Sequence, residues 1–460
     1  MLRASAVCEQ AGIPSASLVC EGFLQQAKAV CLGLGMKLPV AHMPGHVAVQ
    51  PASVLEKNIL EVTLPEVIAC LTRSVDQAVN ADDAPDEPGP GEVVFRGSHD
   101  AVNAHFQQRG WSDGLPIVPP TLDKIEAFLA YTGRKRDEVL GVLLPEKRAA
   151  TVWSVAVNGV MSGCRPEYMP LLLAMVEAMA DPAFGVEHAG ATPGGDALVV
   201  LTGPIVKQLG FNYGQGVMRD GFVPNTSVGR FWRMVLRNVA GFRLHGNDKA
   251  TYGNTWRVVV AENADCLQAL GWPSHCTDTG FADGENTVTI ANYTGGNVVA
   301  QVSGDPRRQM LPYLADAVVR QISWQLTFSV GAGLGKLHPL VLITPILAEA
   351  FAAAGITRGD IQQYLFEHAR MSAQDMERLL GDWSDLVSGC NLAAMADKGT
   401  IPADFHASDD PQRMVPLVWK PADYGIVVTG DPLRNNAYVF APSGLRGYRV
   451  TRRIEAAVPV

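Results

Sequence analysis

Residues 151–182, TVWSVAVNGVMSGCRPEYMPLLLAMVEAMADP, constrain this chain more than any other stretch. Two nearly all-apolar, helix-like runs flank a short turn, and a helix that is apolar all round is stable only when buried all round. The fold must therefore enclose this pair in a thick core. The turn between them, Gly163-Cys164-Arg165-Pro166-Glu167, carries a thiol, a guanidinium and a carboxylate. Such groups are costly in an apolar setting unless they are paired or used. An enzyme-like site is expected here.

The rest of the chain is large enough to supply that core. Its 460 residues imply two or three domains. With 47% hydrophobic and 18% charged residues, it reads as a packed globule and not a disordered chain. The net charge of −9 is dispersed. No Lys/Arg cluster forms a nucleic-acid or polybasic membrane patch. The longest apolar run, 340–354, is interrupted by Pro345 and Glu349 and is shorter than the roughly 18 residues a membrane span needs. Neither nucleic acid nor membrane is expected as a partner. The eight cysteines are scattered and form no CxxC pair, which excludes a zinc ribbon or thioredoxin motif and fits a reduced, cytoplasmic chain.

Strand and helix signals alternate, which implies an α/β fold with parallel strands. Ser15–Cys20 and Leu38–His42 read as strands, with helices at Phe23–Leu34 and Asn58–Arg73. This is a small N-terminal unit of Rossmann- or flavodoxin-like type, over 1–78. His46, after the second strand, is a candidate site residue or an ordinary loop histidine. An acidic, Pro/Gly-rich linker follows over 79–92, and a larger mixed α/β domain over 93–460. In that domain, Ser98 caps a helix to Gln108 and Thr121 caps one to Tyr131. Trp111-Ser-Asp-Gly-Leu-Pro-Ile-Val-Pro-Pro-Thr121 between them is too proline-rich for helix or central strand. Further strands are expected at Ala197–Thr202, Thr255–Ala261, Thr287–Ala291, 339–344 and Gly425–Thr429. Helices are expected at 309–328, 346–354 and 358–370, and Ser372 begins another as a capping residue for Asp375.

Several residues point to chemistry. The loop 210–230 holds five glycines and opens a helix at which Asn225 or Thr226 is a natural cap. Free backbone N–H groups and the helix dipole favour an anion there, and Arg230 and Arg233 add charge. The spacing fits neither a Walker A loop nor GxGxxG, so no cofactor is specified. Cys164, beside Arg165 and at the start of a helix, is expected to have a lowered pKa and to act as nucleophile or redox thiol. A buried cysteine that simply packs is the alternative. His188, His245 and His275 are possible partners for the thiol, and His245 is carried as a candidate catalytic residue. Asp113 and Glu167 are candidate acid/base groups, and Arg165 and Arg230 candidate anion holders. Asn158, Asn225, Glu262 and Asn263 are candidate substrate contacts. His188, His245, Asp248 and Glu262 form the one conceivable metal set, although no compact ligand motif is present.

Four segments together resemble a known family. FRGSHDAVNAHFQQRGWSDGLPIVPPT, TVWSVAVNGVMSGCRPEYMP, NTSVGR and ENTVTI, with AGIPSASLVCEGF near the N-terminus, resemble the UGSC family of (seleno)proteins. The resemblance covers most of the chain. The family's name-giving motif, selenocysteine or cysteine followed by Gly-Ser-Cys, implies thiol or selenol redox chemistry. That motif falls just upstream of Arg3–Gly12 in the family, and no Gly-Ser-Cys precedes the first strand here. Either the motif is encoded ahead of Met1 or this member works without it.

The leading expectation is an enzyme, oxidoreductase-like, acting on a small anionic or carbonyl-containing molecule. A non-catalytic small-molecule-binding subunit serving a redox partner protein is the second expectation, and a metal-dependent lyase or hydrolase the third. A homo-oligomer is expected.

Overall fold

The computed structural model describes residues 2–72, 88–323, 337–383, 389–443 and 448–456. Most of the expected linker lies outside these residues, as does the end of the helix expected over 309–328. The chain is mixed α/β, as its alternation of signals implies.

The N-terminal unit comprises α1 (Leu2–Gln10), β1 (Ser17–Cys20), α2 (Leu24–Leu34), β2 (Val40–Met43), α3 (Ala52–Asn58) and α4 (Leu64–Thr72). β1 and β2 are parallel, with Ser17 opposite Val40 and Cys20 opposite Met43. This is one βαβ unit. A Rossmann or flavodoxin sheet needs more strands and a switch point, so only the α/β character is established. The unit touches the rest of the chain through Arg3, whose guanidinium lies 2.9 Å from Glu187. Gly33 of α2 presses so closely on the Pro145 carbonyl that no side chain fits between them.

After α5 (His99–Gln108) and α6 (Leu122–Leu129), a hairpin of β3 (Val139–Leu143) and β4 (Arg148–Thr151) leads into α7 (Val152–Met161) and α8 (Met169–Ala180). The hairpin was not foreseen; its strands are short and lack clear alternation. Ser98 caps α5, with Ala101 N–H donating to its hydroxyl at 3.3 Å. Helices α7 and α8 behave as their composition demands. Eight of ten residues of α7 and ten of twelve of α8 are buried. A Cβ on Gly159 would lie 2.7 Å from Phe128 and 2.9 Å from Leu172, so glycine there lets α7 pack closely against its neighbours. Gly163 stops α7 in a left-handed conformation, φ +77°, that costs glycine nothing.

The main sheet contains β5 (Asp196–Thr202), β6 (Val259–Ala261), β7 (Thr287–Val299), β8 (Leu340–Ile343), β11 (Gly425–Val428), β12 (Ala437–Pro442) and β13 (Val450–Arg453). The intervening β9 (Arg370–Ser372) and β10 (Met414–Pro416) form a separate antiparallel pair. The strand order β11-β8-β12-β7-β5-β6 reads alike from both edges. At each edge a strand runs parallel to its neighbour, and that neighbour runs antiparallel to a central strand. β7 and β12 pair antiparallel in the middle, and β13 adds to the first half of β7.

The sheet curls until its edge strands meet at their carboxyl ends. Asn263 N–H donates to the Val428 carbonyl at 2.8 Å, and the Thr429 hydroxyl donates to the Ala261 carbonyl at 2.8 Å. Alternate side chains from all six strands, including Leu198, Val200, Val260, Tyr293, Leu342, Val427 and Phe440, fill a small core inside the curl. The other faces bury two outer cores. One is shared with α7, α8, α9 (Ile205–Gln208) and α10 (Val223–Val235), and the other with α11 (Ala264–Leu270), α12 (Leu311–Ile322), α13 (Pro345–Ala353) and α14 (Arg358–His368). The strand at 255–261 shrinks to three residues. β12, β13 and the second half of β7 were not anticipated.

Candidate functional site

Helix α10 organises the site. It begins at Val223, with Phe222 as its cap residue. The expected caps are therefore displaced. Asn225 lies inside the helix, fully buried, and its amide donates to the carbonyls of Asn212 (2.9 Å) and Val259 (2.8 Å). It fastens the glycine-rich loop to β6 instead of facing a ligand. A Cβ on Gly229 would sit 2.2 Å from Val258 N and 2.3 Å from the Arg257 carbonyl carbon. Glycine lets α10 lie directly on the chain entering β6, which brings its arginines beside Arg257.

Arg230 and Arg233 on α10 and Arg237 in the π-helical turn Leu236–Ala240 that continues it are spaced i, i+3 and i+7, hence on one side of the continuous helix. Arg230 forms a two-pronged pair with Asp113: Nε to Oδ2 at 3.0 Å and Nη2 to Oδ1 at 2.7 Å. It also donates to the Pro116 carbonyl at 2.9 Å. Burial alone would raise the Asp113 pKa; Arg230, helped by Arg257, outweighs it and holds the carboxyl below its usual value. Two residues assigned separate roles thus serve each other. Asp113 is a locked carboxylate, poorly suited to take up a proton, and most of Arg230's fork is already occupied.

The charges that line a cleft lie one step further along. Asp113, Arg233, Arg237, Asp248 and Arg257, with Leu236, Phe242 and Leu244, line a cleft of about 490 Å³ open to solvent. Arg233 Nη1 pairs with buried Asp196 at 3.2 Å, and its other terminal nitrogen lies 3.8 Å from Asp248. Asp196 also accepts from Trp232 Nε1, Trp256 N–H and Ala197 N–H, so its charge is fully answered. Arg257 reaches Asp113 only at 3.6 Å, and its buried Nε has no hydrogen-bond partner among the described residues. Arg237 makes no side-chain hydrogen bond or ion pair among the described residues. Burial and then neighbouring Arg233 push its pKa down, with Asp113 and Asp248 offsetting part of this. A guanidinium stays protonated at any physiological pH, so the cleft carries unanswered positive charge.

The focal turn borders this region without matching its expected chemistry. Burial pushes the Cys164 thiol up to about 12; a hydrogen bond with Ser227 and the Arg230 charge only partly oppose that. The expectation of a lowered pKa is reversed, and no histidine acts on the thiol. It packs in the core as a small apolar group. Arg165 and Glu167 face each other at 3.6 Å on a partly exposed turn, away from the arginine cleft. Asn158 is buried, donates to the Ser154 carbonyl at 2.8 Å and accepts from Asn238 at 2.9 Å. Its role is to hold α7 to the end of α10. His245 is exposed, in a left-handed turn (φ 63°) next to Leu244 at the cleft edge.

Glu262 and Asn263 belong elsewhere, at the far end of β6. Asn263 caps the helix Ala264–Leu270, accepting from Cys266 N–H at 3.0 Å. Glu262 is buried and accepts the His275 N–H at 3.1 Å on both oxygens. Burial pushes its carboxyl up to about 7 and pushes His275 down to about 4. Beside them Arg358 grips Asp278 through two bonds, 2.6 and 3.0 Å. This cluster is sealed from solvent. The possible metal set does not assemble either: Glu262 lies with His275, and among the described residues no group of three or more His, Cys, Asp or Glu is placed to hold an ion. Glu285, at another strand end, pairs with Arg453 at 2.7 Å on the surface.

Arg237 and Arg257 were not singled out from sequence. The helical spacing of 230, 233 and 237 was a readable signal for the first. Nothing local marked Arg257, which looked like one more residue of a strand. No protein-family profile, curated protein or solved structure matches this chain.

Proposed function

We propose that the chain binds a small organic anion in the arginine cleft, and that this anion is the substrate of an enzyme. The observation that carries the reading is Arg237: a half-buried guanidinium without a side-chain partner among the described residues, beside a second, incompletely paired one at Arg257. Charge-assisted bonds to such donors are the strong ones. Among the described residues no helix is long and apolar enough to cross a membrane.

The test is direct titration of the full chain with small carboxylates and phosphates, alongside Arg237→Leu. Loss of this donor is expected to weaken binding at least tenfold while stability moves by no more than about 0.5 kcal/mol, the range for a change away from core features. Equal binding by the wild type and the variant would sink the assignment. Turnover of the bound anion by the purified chain separates the enzyme from a binding subunit that hands its ligand to a redox partner.

Membership of the UGSC family remains part of this proposal. In its favour, three of the resembling segments converge: Asp113 from the first, Cys164 from the second and Arg230 from NTSVGR are neighbours. The implied thiol redox chemistry draws no support from Cys164 itself. All eight cysteines are free thiols, which favours a reducing, cytoplasmic setting. The homo-oligomer is favoured by α4, which has no buried residue although Leu64, Ile68 and Leu71 are large and apolar. Sedimentation of the full chain as a monomer at micromolar concentration would remove it.

A further inference from the structure

We infer that the ligand of the arginine cleft is a monocarboxylate with an apolar body, in preference to a phosphorylated compound or a dicarboxylate. This rests on the anion-binding reading above and adds the class of anion. The first argument is charge. Arg233, Arg237 and Arg257 supply three positive charges to the lining, and Asp113 and Asp248 supply two negative ones, leaving a surplus of one. A monoanion neutralises the cleft. A dianion leaves one negative charge facing two carboxylates that cannot swing away. Asp113 is only 4% exposed and gripped by Arg230; Asp248 is 7% exposed and accepts the Ala250 N–H at 3.2 Å. Like charges held together in a partly desolvated site repel strongly.

The second argument is the remainder of the lining. Leu236 and Phe242 form an apolar floor, 1% and 6% exposed, while Leu244 stands 60% exposed at the edge. The adjacent left-handed turn at His245 keeps Leu244 on the cleft side of its loop. A methyl or phosphate oxyanion leaves that surface wet. A ligand whose carboxylate meets Arg237 and Arg257 and whose hydrocarbon lies along Phe242 and Leu244 covers it, and each buried methylene is worth about a fourfold gain in affinity.

The experiment is calorimetric titration of the full chain at pH 8 with the unbranched acids from acetate to hexanoate, with butyl phosphate and with glutarate. Affinity is expected to rise about fourfold per methylene until the cleft is filled. Butyl phosphate and glutarate are expected to bind at least tenfold more weakly than pentanoate. Leu244→Ser is expected to flatten the rise with chain length. Affinity independent of chain length, or butyl phosphate or glutarate binding as tightly as pentanoate, overturns this inference and leaves the anion site standing. Absence of binding by every one of these anions overturns both.

Discussion

Helices α10 and α14 hold the same place in the two halves of the sheet, each being the second helix after the first strand of its half, and they use arginine in opposite ways. In α14, Arg358 is 3% exposed and bonded twice to Asp278, with Thr277 as a further acceptor at 2.9 Å. Gln362, one turn on, donates to the same Asp278 and to the Tyr424 carbonyl. In α10 and the helical turn that continues it, only the first arginine is matched in this fashion; the second is shared between two carboxylates and the third, Arg237, has no side-chain partner among the described residues. One half pairs its buried arginine with a buried carboxylate, leaving only the Arg358 Nε without a hydrogen bond among the described residues. The other exposes a surplus to an open cleft. Charge left unanswered against the local demand of stability is the physical mark of a binding site.

The contrast can be broken at its sealed side first. Asp278→Ala leaves Arg358 buried without its counter-ion and is expected to cost about 3–5 kcal/mol. Urea unfolding measures this, and a loss below about 1 kcal/mol would show the cluster to be hydrated and not sealed. At the open side, Gly229→Ala pushes α10 off the chain entering β6 and is expected to cost about 1–3 kcal/mol, as overpacking does. It should also weaken anion binding, because Arg230 and Arg237 move away from Arg257. Unchanged affinity in a destabilised variant would mean that the cleft does not depend on this contact.

The sealed cluster also makes a pH prediction. Burial raises Glu262 from an ordinary 4.5 to about 7, so the folded chain keeps a proton that the unfolded chain releases. Stability from this group falls as pH rises from about 4.5 to 7. Burial lowers His275 from 6.5 to about 4, so stability from that group falls as pH drops from about 6.5 to 4. The slopes oppose each other across the shared window. Glu262→Gln removes the first, and unfolding midpoints should then climb steadily between pH 4.5 and 6.5; midpoints that stay level would refute the assignment. The smallest effect is expected at Cys164. With its thiol at about 12, iodoacetamide at pH 8 should label it at least tenfold more slowly than a free cysteine, followed by peptide mass spectrometry. Labelling faster than free cysteine would restore a thiolate role.

Much of the architecture was legible in the chain. Apolar patterning located α2, α5, α8 and α14 and the start of α12 to within a few residues, and Ser98 and Ser372 cap the helices expected to begin there. β5, β8 and the edge strand β11 were readable as short apolar runs between glycines and prolines. β12 and β13 were less so, because their pairing partner β7 lies far along the chain. At the site, Asp113 and Arg230 were both identified and given the wrong relation. Asn158, Asn225 and Asn263, expected as substrate contacts, each satisfy backbone or side-chain groups inside the fold.

By itself the sequence determined that 151–182 must be enclosed, that parallel strand pairs must form, and that arginines 230, 233 and 237 share a helix face. Those are consequences of short-range rules: side-chain periodicity, glycine conformations and capping act over a few residues. Only the tertiary structure decided which charges answer one another. Asp113 meets Arg230 from 117 positions away and Arg358 meets Asp278 from 80. The focal thiol was decided in the same way. Gly163 and Arg165 beside it favour a thiolate, but the depth at which the surrounding helices bury Cys164 outweighs both, because desolvation depends on everything packed around a group and not on its neighbours in the chain.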